Sequence, residues 1–473
     1  MSTNISRRKV VAGAAWAAPV VAASAAVPAF ASSTECEWNS TENYSISGQP
    51  SGARDTLKIT IPAKVDKLRF EVAGGAGGGS AQVAGGSGAL VTGEIPVKAG
   101  QVVELVAAAG GVAYLASEPG VDSAAIWQTR PATGGKGYGN GGDVNEQPVP
   151  ADAKARVEAN APMPSDMKRY LYGGSGGGSS ALIIDGTPIA VAGGGGGAGI
   201  RTQPGTNNMP SSSPFYNPKA VNASTTSLGD TAVKSVLPAG ASASAAAGGD
   251  AETSISHYTV LKPYANERTA MKVAGGKGGN GGVGGAGGEQ PLLYNDANFY
   301  GVLGFTSQNK QELFSSATAG DKGGSGFDGK GADGVFAYSY QIDNNDISKL
   351  EIVHQTNPLN LNEKRPYSEK DTRKSFNGYQ TVVSAGGGAG YGGGGSGAAR
   401  GLSSIITSQK WNANEEPTRY RQNVSALLQA GAGGGSYVSP TVPNGIIASA
   451  NNAAKQSGVR NPGYVKVTLC TRS

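Results

Sequence analysis

Cysteine and histidine are almost absent from this chain, and their scarcity limits the chemistry that it can carry. The 473 residues include two cysteines and two histidines, too few for a cysteine–histidine metal cluster or a disulfide-dense scaffold. His257 and His354 lie in polar surroundings without a recognisable nucleophile motif. We therefore expect two ordinary surface histidines, no catalytic residues and no enzymatic activity.

The glycine-rich stretches lack the partner residues of a nucleotide site. Lys136, Lys277 and Lys330 are each followed by glycine, where a phosphate loop needs the Ser or Thr that binds magnesium. No stretch with dinucleotide-type glycine spacing opens a helix in a βαβ unit. We expect no cofactor and no metal. Calcium near Asp328 stays open as an alternative, because one partial copy of a calcium-binding nonapeptide ends there.

Long apolar runs are also missing, apart from one at the N-terminus. There Arg7 and Arg8 precede an Ala/Val-rich stretch, and Ala29-Phe30-Ala31 offers the small residues that signal peptidase requires. Residues 1–31 thus indicate a cleaved twin-arginine (Tat) signal, and their form resembles such signals of Gram-positive bacteria. We expect a secreted or cell-surface protein with no stable membrane insertion after cleavage.

Loss of this signal also changes the charge of the protein. It removes three cations and no acid, so the formal charge falls from +5 to +2. The basic balance of the whole chain is therefore no argument for nucleic-acid binding.

Cys36 and Cys470 stand at the two ends of the mature chain. In an oxidising exterior, a lone pair of cysteines is most simply a disulfide. Such a bond would make the termini neighbours, so we expect residues 32–473 to form a single domain. Two unpaired buried thiols are the alternative.

Alternating apolar and polar residues predict β-strands over much of this domain. The pattern is clear in LKITIPAKVDKLRFEV, GALVTGEIPVKAGQVVELVA, ALIIDGTPIAVA and GYVKVTL, with Asp185-Gly186 as a tight hairpin turn. Short helices are predicted only near 151–159 and 425–430. Long polar stretches near 112–170, 200–268, 290–380 and 400–430 are predicted to be insertions.

Glycine is the residue present in excess, at 76 residues or about 16 % against an average near 7 %. Strand patterns run directly into glycine at Val72-Ala73, Val191-Ala192 and Val273-Ala274, with a variant at Val383-Ser384. From Gly275 every third residue carries a side chain, which is the repeat of an extended helix with three residues per turn.

The recurring strand-to-glycine boundary and the triplet repeat predict that the glycines pack together. We expect tracts 173–178, 193–199, 275–288, 386–397 and 431–435 to form a bundle of polyglycine-II-type helices; disordered linkers are the alternative. The residues assigned to these helices are Gly193, Gly194, Gly195, Gly196, Gly197, Gly275, Gly276, Gly278, Gly279, Gly281, Gly282, Gly284 and Gly285.

The order of these motifs resembles the glycine-rich extracellular domain of anaplastic lymphoma kinase and leukocyte receptor kinase, and glycine-rich secreted bacterial proteins of the same layout. The similarity extends intermittently from Leu57 to Leu469. It implies an all-β fold, a jelly-roll-like β-sandwich with packed glycine helices. The chain lacks the receptors' disulfides and kinase, so the resemblance implies nothing about ligand binding or signalling.

Two functions remain open at this point. The first is a non-enzymatic structural or adhesive surface protein whose rigid scaffold displays loops to a cell-wall polymer, a surface glycan or another surface protein. The second is a carbohydrate-binding module or exported polysaccharide hydrolase. Five tyrosines in or beside the insertions could stack on sugars or simply cap the sandwich: Tyr170, Tyr172, Tyr338, Tyr340 and Tyr379.

Overall fold

The structure is a computed structural model in which β-strands predominate. It describes residues 37–79, 84–114, 130–152, 154–155, 168–201, 245–251, 254–261, 266–291, 311–343, 355–357, 360–365, 378–401, 403–409, 418–424 and 427–471. The signal segment 1–31, Cys36, His354 and much of the four polar insertions lie outside these residues. All neighbouring strands are antiparallel except one pair, so the predicted all-β class is confirmed.

Two sheets form a sandwich-like unit. Sheet I has the order β1 (Glu37–Ser47), β25 (Tyr464–Thr471), β3 (Val65–Ala73), β4 (Ala89–Pro96) and β24 (Ile446–Ser449). Sheet II has the order β10 (Ala245–Ala246), β23 (Ser436–Val438), β8 (Thr187–Ala192), β7 (Ser180–Ile184), β5 (Val102–Ala107) and β2 (Asp55–Thr60).

A single apolar core joins the two sheets. Phe70 and Leu68 of β3, with Val467 of β25, lie in the same cluster as Leu105 of β5 and Leu182 of β7. Burying an apolar side chain of this size contributes about 1.5–3 kcal/mol. The alternation read from the sequence is confirmed in β3, where Leu68, Phe70 and Val72 are all buried. This core fixes the strand ends from which several glycine tracts begin.

Three further sheets and a hairpin complete the described strands. Sheet III has the order β13 (Gln311–Ser315), β15 (Phe336–Asp343), β18 (Gly378–Val383) and β6 (Lys168–Tyr172), with β18 and β6 parallel. Sheet IV has the order β12 (Asn266–Val273), β11 (Ser254–Leu261), β21 (Thr418–Val424) and β20 (Ser403–Gln409). Sheet V has the order β14 (Ala317–Thr318), β19 (Ala399–Arg400), β22 (Leu427–Leu428) and β9 (Ile200–Arg201), and β16 (Gln355–Asn357) pairs with β17 (Asn360–Arg365).

Four strands lead directly into glycine tracts, as the repeated boundary predicts. They are β3, β8, β12 and β18, which end at Ala73, Ala192, Val273 and Val383. The predicted hairpin turn is also confirmed, because Asp185 and Gly186 join β7 to β8 with φ angles of 47° and 79°. Positive φ at both central residues is the type I′ geometry that suits hairpins.

The helix predicted near 425–430 is wrong. Leu427 and Leu428 form β22, whose two neighbours are β19 and β9. Both leucines are buried, and Leu428 joins the apolar cluster of Leu171 and Val382, so packing against neighbouring strands overrides the local helix propensity. Around 151–155 the described residues do form one helical turn.

The first and last described strands lie side by side. β1 pairs with β25, placing Glu37 opposite Thr471 and Trp38 opposite Cys470. Cys470 is fully buried, whereas Cys36 lies outside the described residues. The Cys36–Cys470 disulfide therefore stays a prediction, and the pairing of Glu37 with Thr471 supports the proximity that it requires.

Candidate functional site

The glycine tracts lie against one another in what we call the glycine layer: residues 74–79, 84–88, 108–112, 134–142, 173–179, 193–199, 248–251, 274–289, 320–334, 385–398 and 429–435. Residues 134–142 and 320–334 belong to this layer although they fall within predicted insertions. Their short Gly-Gly pairs are too common in this sequence to have marked them.

Backbone hydrogen bonds connect each tract to several others. Within 385–391, successive N–H groups donate to three different tracts in rotation, and every third residue returns to the same tract. Ala385, Gly388 and Tyr391 donate to carbonyls of 429–435, Gly386 and Ala389 to 173–179, and Gly387 and Gly390 to 329–332.

Tract 173–179 has the same arrangement. Gly174 and Gly177 donate to 193–199, Ser175 and Gly178 to 108–112, and Gly176 and Ser179 to 139–142, over distances of 2.8–3.1 Å. A β-strand bonds its backbone groups to two neighbouring strands, and an α-helix bonds them within itself. In this tract the backbone N–H groups are instead shared among three neighbouring tracts. The tracts thus form a three-dimensional hydrogen-bonded layer.

The close approach of these tracts leaves no room for side chains at many positions. A Cβ atom added at Gly197 would meet the carbonyl oxygen of Gly174, and one at Gly176 would meet that of Gly387, in both cases well inside 3.0 Å. Real Cβ atoms essentially never come so close to another heavy atom. These positions require glycine because the neighbouring backbone occupies the space of a side chain.

The predicted glycine residues are all in this layer, but they do not form a single straight element after Gly275. Gly193, Gly194, Gly195, Gly196 and Gly197 are buried in one tract. In contrast, the chain reverses at Asn280–Val283, where the two residues hydrogen-bond to each other in both directions.

Gly281 and Gly282 form the turn of this reversal, which corrects their assignment to an extended helix. Their φ angles of 57° and 78° match those of a type I′ turn. The turn is preceded by Gly275, Gly276, Gly278 and Gly279 and followed by Gly284 and Gly285. A hydrogen bond joins the two segments, because Lys277 N–H donates to the carbonyl of Ala286 over 2.7 Å. The side chains of the triplet repeat are all exposed, namely those of Lys277, Asn280, Val283, Ala286 and Glu289.

The three lysines of the Gly-Lys-Gly stretches each have an acidic partner. Their Nζ atoms lie 3.9 Å from Asp143 for Lys136, 3.3 Å from Asp250 for Lys277 and 2.7 Å from Asp333 for Lys330. These aspartates also accept backbone N–H groups; Asp250, for example, accepts that of Gly278 over 3.1 Å. The lysines therefore neutralise carboxylates at the rim of the glycine layer.

Buried polar side chains satisfy backbone groups where strands meet glycine. Gln429 is fully buried; its Oε1 accepts from Ala398 N–H at 3.0 Å, and its Nε2 donates to the carbonyl of Val273 at 2.8 Å. Ser384 accepts from Val335 N–H and donates to the carbonyl of Gly397. These side chains replace backbone partners at the end of β12 and β18.

Sequence reasoning missed a cluster of four aromatic residues where the glycine layer meets the outer face of sheet II. Phe327 stacks on Tyr391 with ring centroids 4.7 Å apart and meets Tyr437 edge-on at 5.0 Å. Tyr138, Phe327 and Tyr437 pack against the apolar patch of Val106, Ala181, Ile183 and Val191. Three of the four come from turns between glycine segments. The one aromatic residue in each of these turns was the sequence feature that could have indicated the cluster.

Carboxylates near this cluster affect the titration of Tyr138. Burial raises the pKa of Tyr138, and the negative charges of Asp328 and Glu104 raise it further. Asp328 itself is exposed, and no group of side chains suited to a metal ion occurs among the described residues. The alternative of calcium near Asp328 gains no support from these residues.

The five tyrosines named from the sequence all occupy one face of sheet III. Tyr340 lies opposite Tyr379. Tyr338 lies opposite Thr381, and Thr381 lies beside Tyr170. Phe336 lies opposite Val383, and Val383 lies beside Tyr172. Directly paired residues share a face of the sheet. We call this set the tyrosine face; Phe314 of β13, paired with Tyr340, belongs to it as well.

The tyrosine face is buried at the end formed by Tyr172 and Val383, and it is half-buried at Tyr338. Tyr172 and Val383 are buried with Val144, and Phe336 packs against them. Tyr338 stacks on Phe336 with centroids 5.7 Å apart and ring planes inclined by 15°. Burial, followed by the charge of Asp152, raises the pKa of Tyr338. The remaining candidate, His257, lies in β11 opposite Ala270, away from this face.

No protein-family model matches this chain, and no curated protein matches its sequence. Within the residues that the structure describes, no helix is both long and apolar enough to cross a membrane.

Proposed function

We propose that this chain is a secreted or cell-wall-associated surface protein without enzymatic activity. In this proposal the glycine layer and the sandwich form a rigid scaffold, which displays polar loops for structural or adhesive contacts. The observation that carries the proposal is the rotation of hydrogen bonds in tract 385–391, because it ties three other tracts together through backbone alone. An interior built of backbone gives rigidity and offers few reactive side chains.

The tracts are, in this proposal, polyglycine-II-type helices supported by a jelly-roll-like sandwich, as in the receptor domains that the sequence resembles. The three-residue return of hydrogen bonds supports the first part, since an extended threefold helix presents every third residue to the same neighbour. Passage of the chain between sheets, from β2 to β3 and from β4 to β5, supports the second. Ordering glycine costs about 1–2 kcal/mol per residue, which the flanking strands must offset.

Export through the twin-arginine pathway is part of the same proposal. The test replaces Arg7 and Arg8 by lysine and follows the protein in cell fractions. We expect the variant to stay inside the cell with its N-terminus intact, whereas the parent chain begins at Ser32. Release of both proteins to the same extent would overturn this route.

Binding to the wall tests the scaffold function directly. The mature chain is mixed with isolated cell-wall fractions, and sedimentation of the protein and release of soluble sugar are both measured. We expect co-sedimentation without sugar release. Sugar release that disappears on replacing a single carboxylate would instead establish a hydrolase.

Carbohydrate binding is the second candidate, and the tyrosine face favours it. Tyrosine combines a flat apolar ring with a hydroxyl group, which suits the alternating apolar and polar surface of a sugar. Tyr338→Ala should then weaken sedimentation with an insoluble polysaccharide, while Tyr464→Ala on sheet I should not. A hydrolase would in addition need two carboxylates about 5–10 Å apart across a cleft.

A further inference from the structure

Sheet IV separates its charged residues between its two faces. The register pairs β12 with β11, β11 with β21, and β21 with β20, so the face that each residue occupies follows from its partners. Thr259, for example, lies opposite Arg268 on one side and Asn423 on the other. These three positions therefore share one face.

Four permanent cations and no acidic residue occupy that face, which we call the basic face. Its charged positions are Lys272 and Arg268 of β12 and Arg421 and Arg419 of β21, with His257 of β11 between them. The other face has Glu267 as its one charged position among the paired residues. Segregation of this kind is notable in a mature chain whose formal charge is only +2.

The cations are spread along the sheet instead of meeting at one point. Lys272 lies opposite Ile255, and Arg421 lies opposite Leu261, six residues further along β11. Arg419 is two residues beyond Arg421, so the row extends over about 27 Å at 3.4 Å per residue. A small anion cannot span such a row, whereas a linear polymer can.

Sheet IV is also peripheral among the described strands. Its main contact with another sheet is that of β20 with β13, both of which are edge strands. Three of the four cations are arginines, whose planar guanidinium groups bind phosphate oxygens in a two-pronged manner.

We propose that the basic face binds a linear phosphate-bearing polymer of the cell surface. This inference rests on the proposed surface location and names the class of partner. Each bound cation displaces a counterion from the polymer, so the affinity should fall steeply as salt rises. Arginine spacing along the strands gives the polymer several attachment points, none of which needs to be strong alone.

The experiment uses the purified mature chain with inorganic polyphosphate, polyglutamate and neutral dextran as probes. The test variant is Arg268→Gln/Arg421→Gln, and its matched control is Lys58→Gln/Lys466→Gln, which removes the same charge from sheets II and I. We expect polyphosphate binding that weakens with salt, drops roughly tenfold in the test variant and is unchanged in the control. Thermal unfolding checks that both variants fold.

Three results would overturn the inference. The first is equal loss of binding in both variants, which would reflect net charge alone. The second is binding of polyglutamate as tight as that of polyphosphate, and the third is no binding of either polymer. Because purified polymers are used, failure here leaves the wall-sedimentation and export experiments unaffected, and the surface location can fail separately.

Discussion

At the level of single residues, the glycine layer depends on a missing Cβ atom. At Gly197 the neighbouring carbonyl of Gly174 occupies the space that alanine would need. The same holds at Gly176 against Gly387, so the requirement recurs across tracts. Glycine is required at these positions because another backbone approaches closely. The conformational entropy that glycine loses on folding is a cost of this arrangement.

Gly197→Ala should therefore destabilise the protein by about 1–3 kcal/mol or more, because two tracts must move apart. Chemical denaturation measures the effect. Gly100→Asn is the control: Gly100 has a φ of 84° with open space around its Cβ position, and asparagine tolerates that conformation. Equal stability of Gly197→Ala and the parent chain would refute the close packing of these tracts.

Tyr138 gives a second prediction at this scale. Burial, then Asp328 and Glu104, raise its pKa, so the folded state holds the phenol proton more tightly than the unfolded state. The associated stability is fully present below the ordinary tyrosine pKa near 10 and is lost as pH rises through the folded value. Asp328→Asn should lower this pKa and reduce the loss of stability at alkaline pH, because the folded state then ionises Tyr138 at a smaller cost. Phenolate absorbance, compared with Tyr138→Phe, measures the shift; no change in the titration would contradict it.

At the level of elements, the tract after Gly275 shows how a repeat can be read correctly and still be placed wrongly. The triplet pattern predicted a straight extended helix with its side chains along one edge; the side chains from Lys277 to Glu289 are exposed, but the tract reverses between them. The pattern could not reveal the reversal, because two consecutive glycines fit both an extended helix and a type I′ turn. The bonds between Asn280 and Val283 and the positive φ angles of the two glycines identify the turn.

This reversal predicts different effects for two substitutions at Gly281. Its φ of 57° suits asparagine and disfavours a β-branched residue, and no atom lies near its Cβ position. Gly281→Asn should be nearly neutral, whereas Gly281→Val should cost about 1–2 kcal/mol in thermal or chemical unfolding. Equal effects of the two substitutions would favour a straight tract.

Strands were predictable where local alternation and burial agree, as in β3 and the β7–β8 hairpin. β22 was not, because Leu427 and Leu428 form a strand through pairing with residues far away in sequence. The aromatic contact of Phe327 with Tyr391 likewise joins two turns that lie far apart along the chain. Period and turn chemistry are local, whereas these features depend on which tracts become neighbours.

At the level of the whole molecule, the first and last described strands meet in sheet I. β25 lies between β1 and β3, so the last strand is held by the first and by the apolar core. The pairing of β25 with β1 and β3 completes sheet I of the sandwich. The sandwich in turn fixes the ends of β3 and β8, from which two glycine tracts start. The stability of the layer should depend on this closure.

The predicted Cys36–Cys470 bond would reinforce the closure by restricting the unfolded chain. On the chain-entropy model, a loop of this length contributes up to about 6 kcal/mol. Cys36→Ala breaks the bond without changing the buried position of Cys470, and it should lower the unfolding temperature. A reductant should lower the unfolding temperature of the parent chain to the same value and leave that of the variant unchanged. Alkylation of the denatured, unreduced mature protein should modify neither cysteine, and labelling of both would show that the thiols are free.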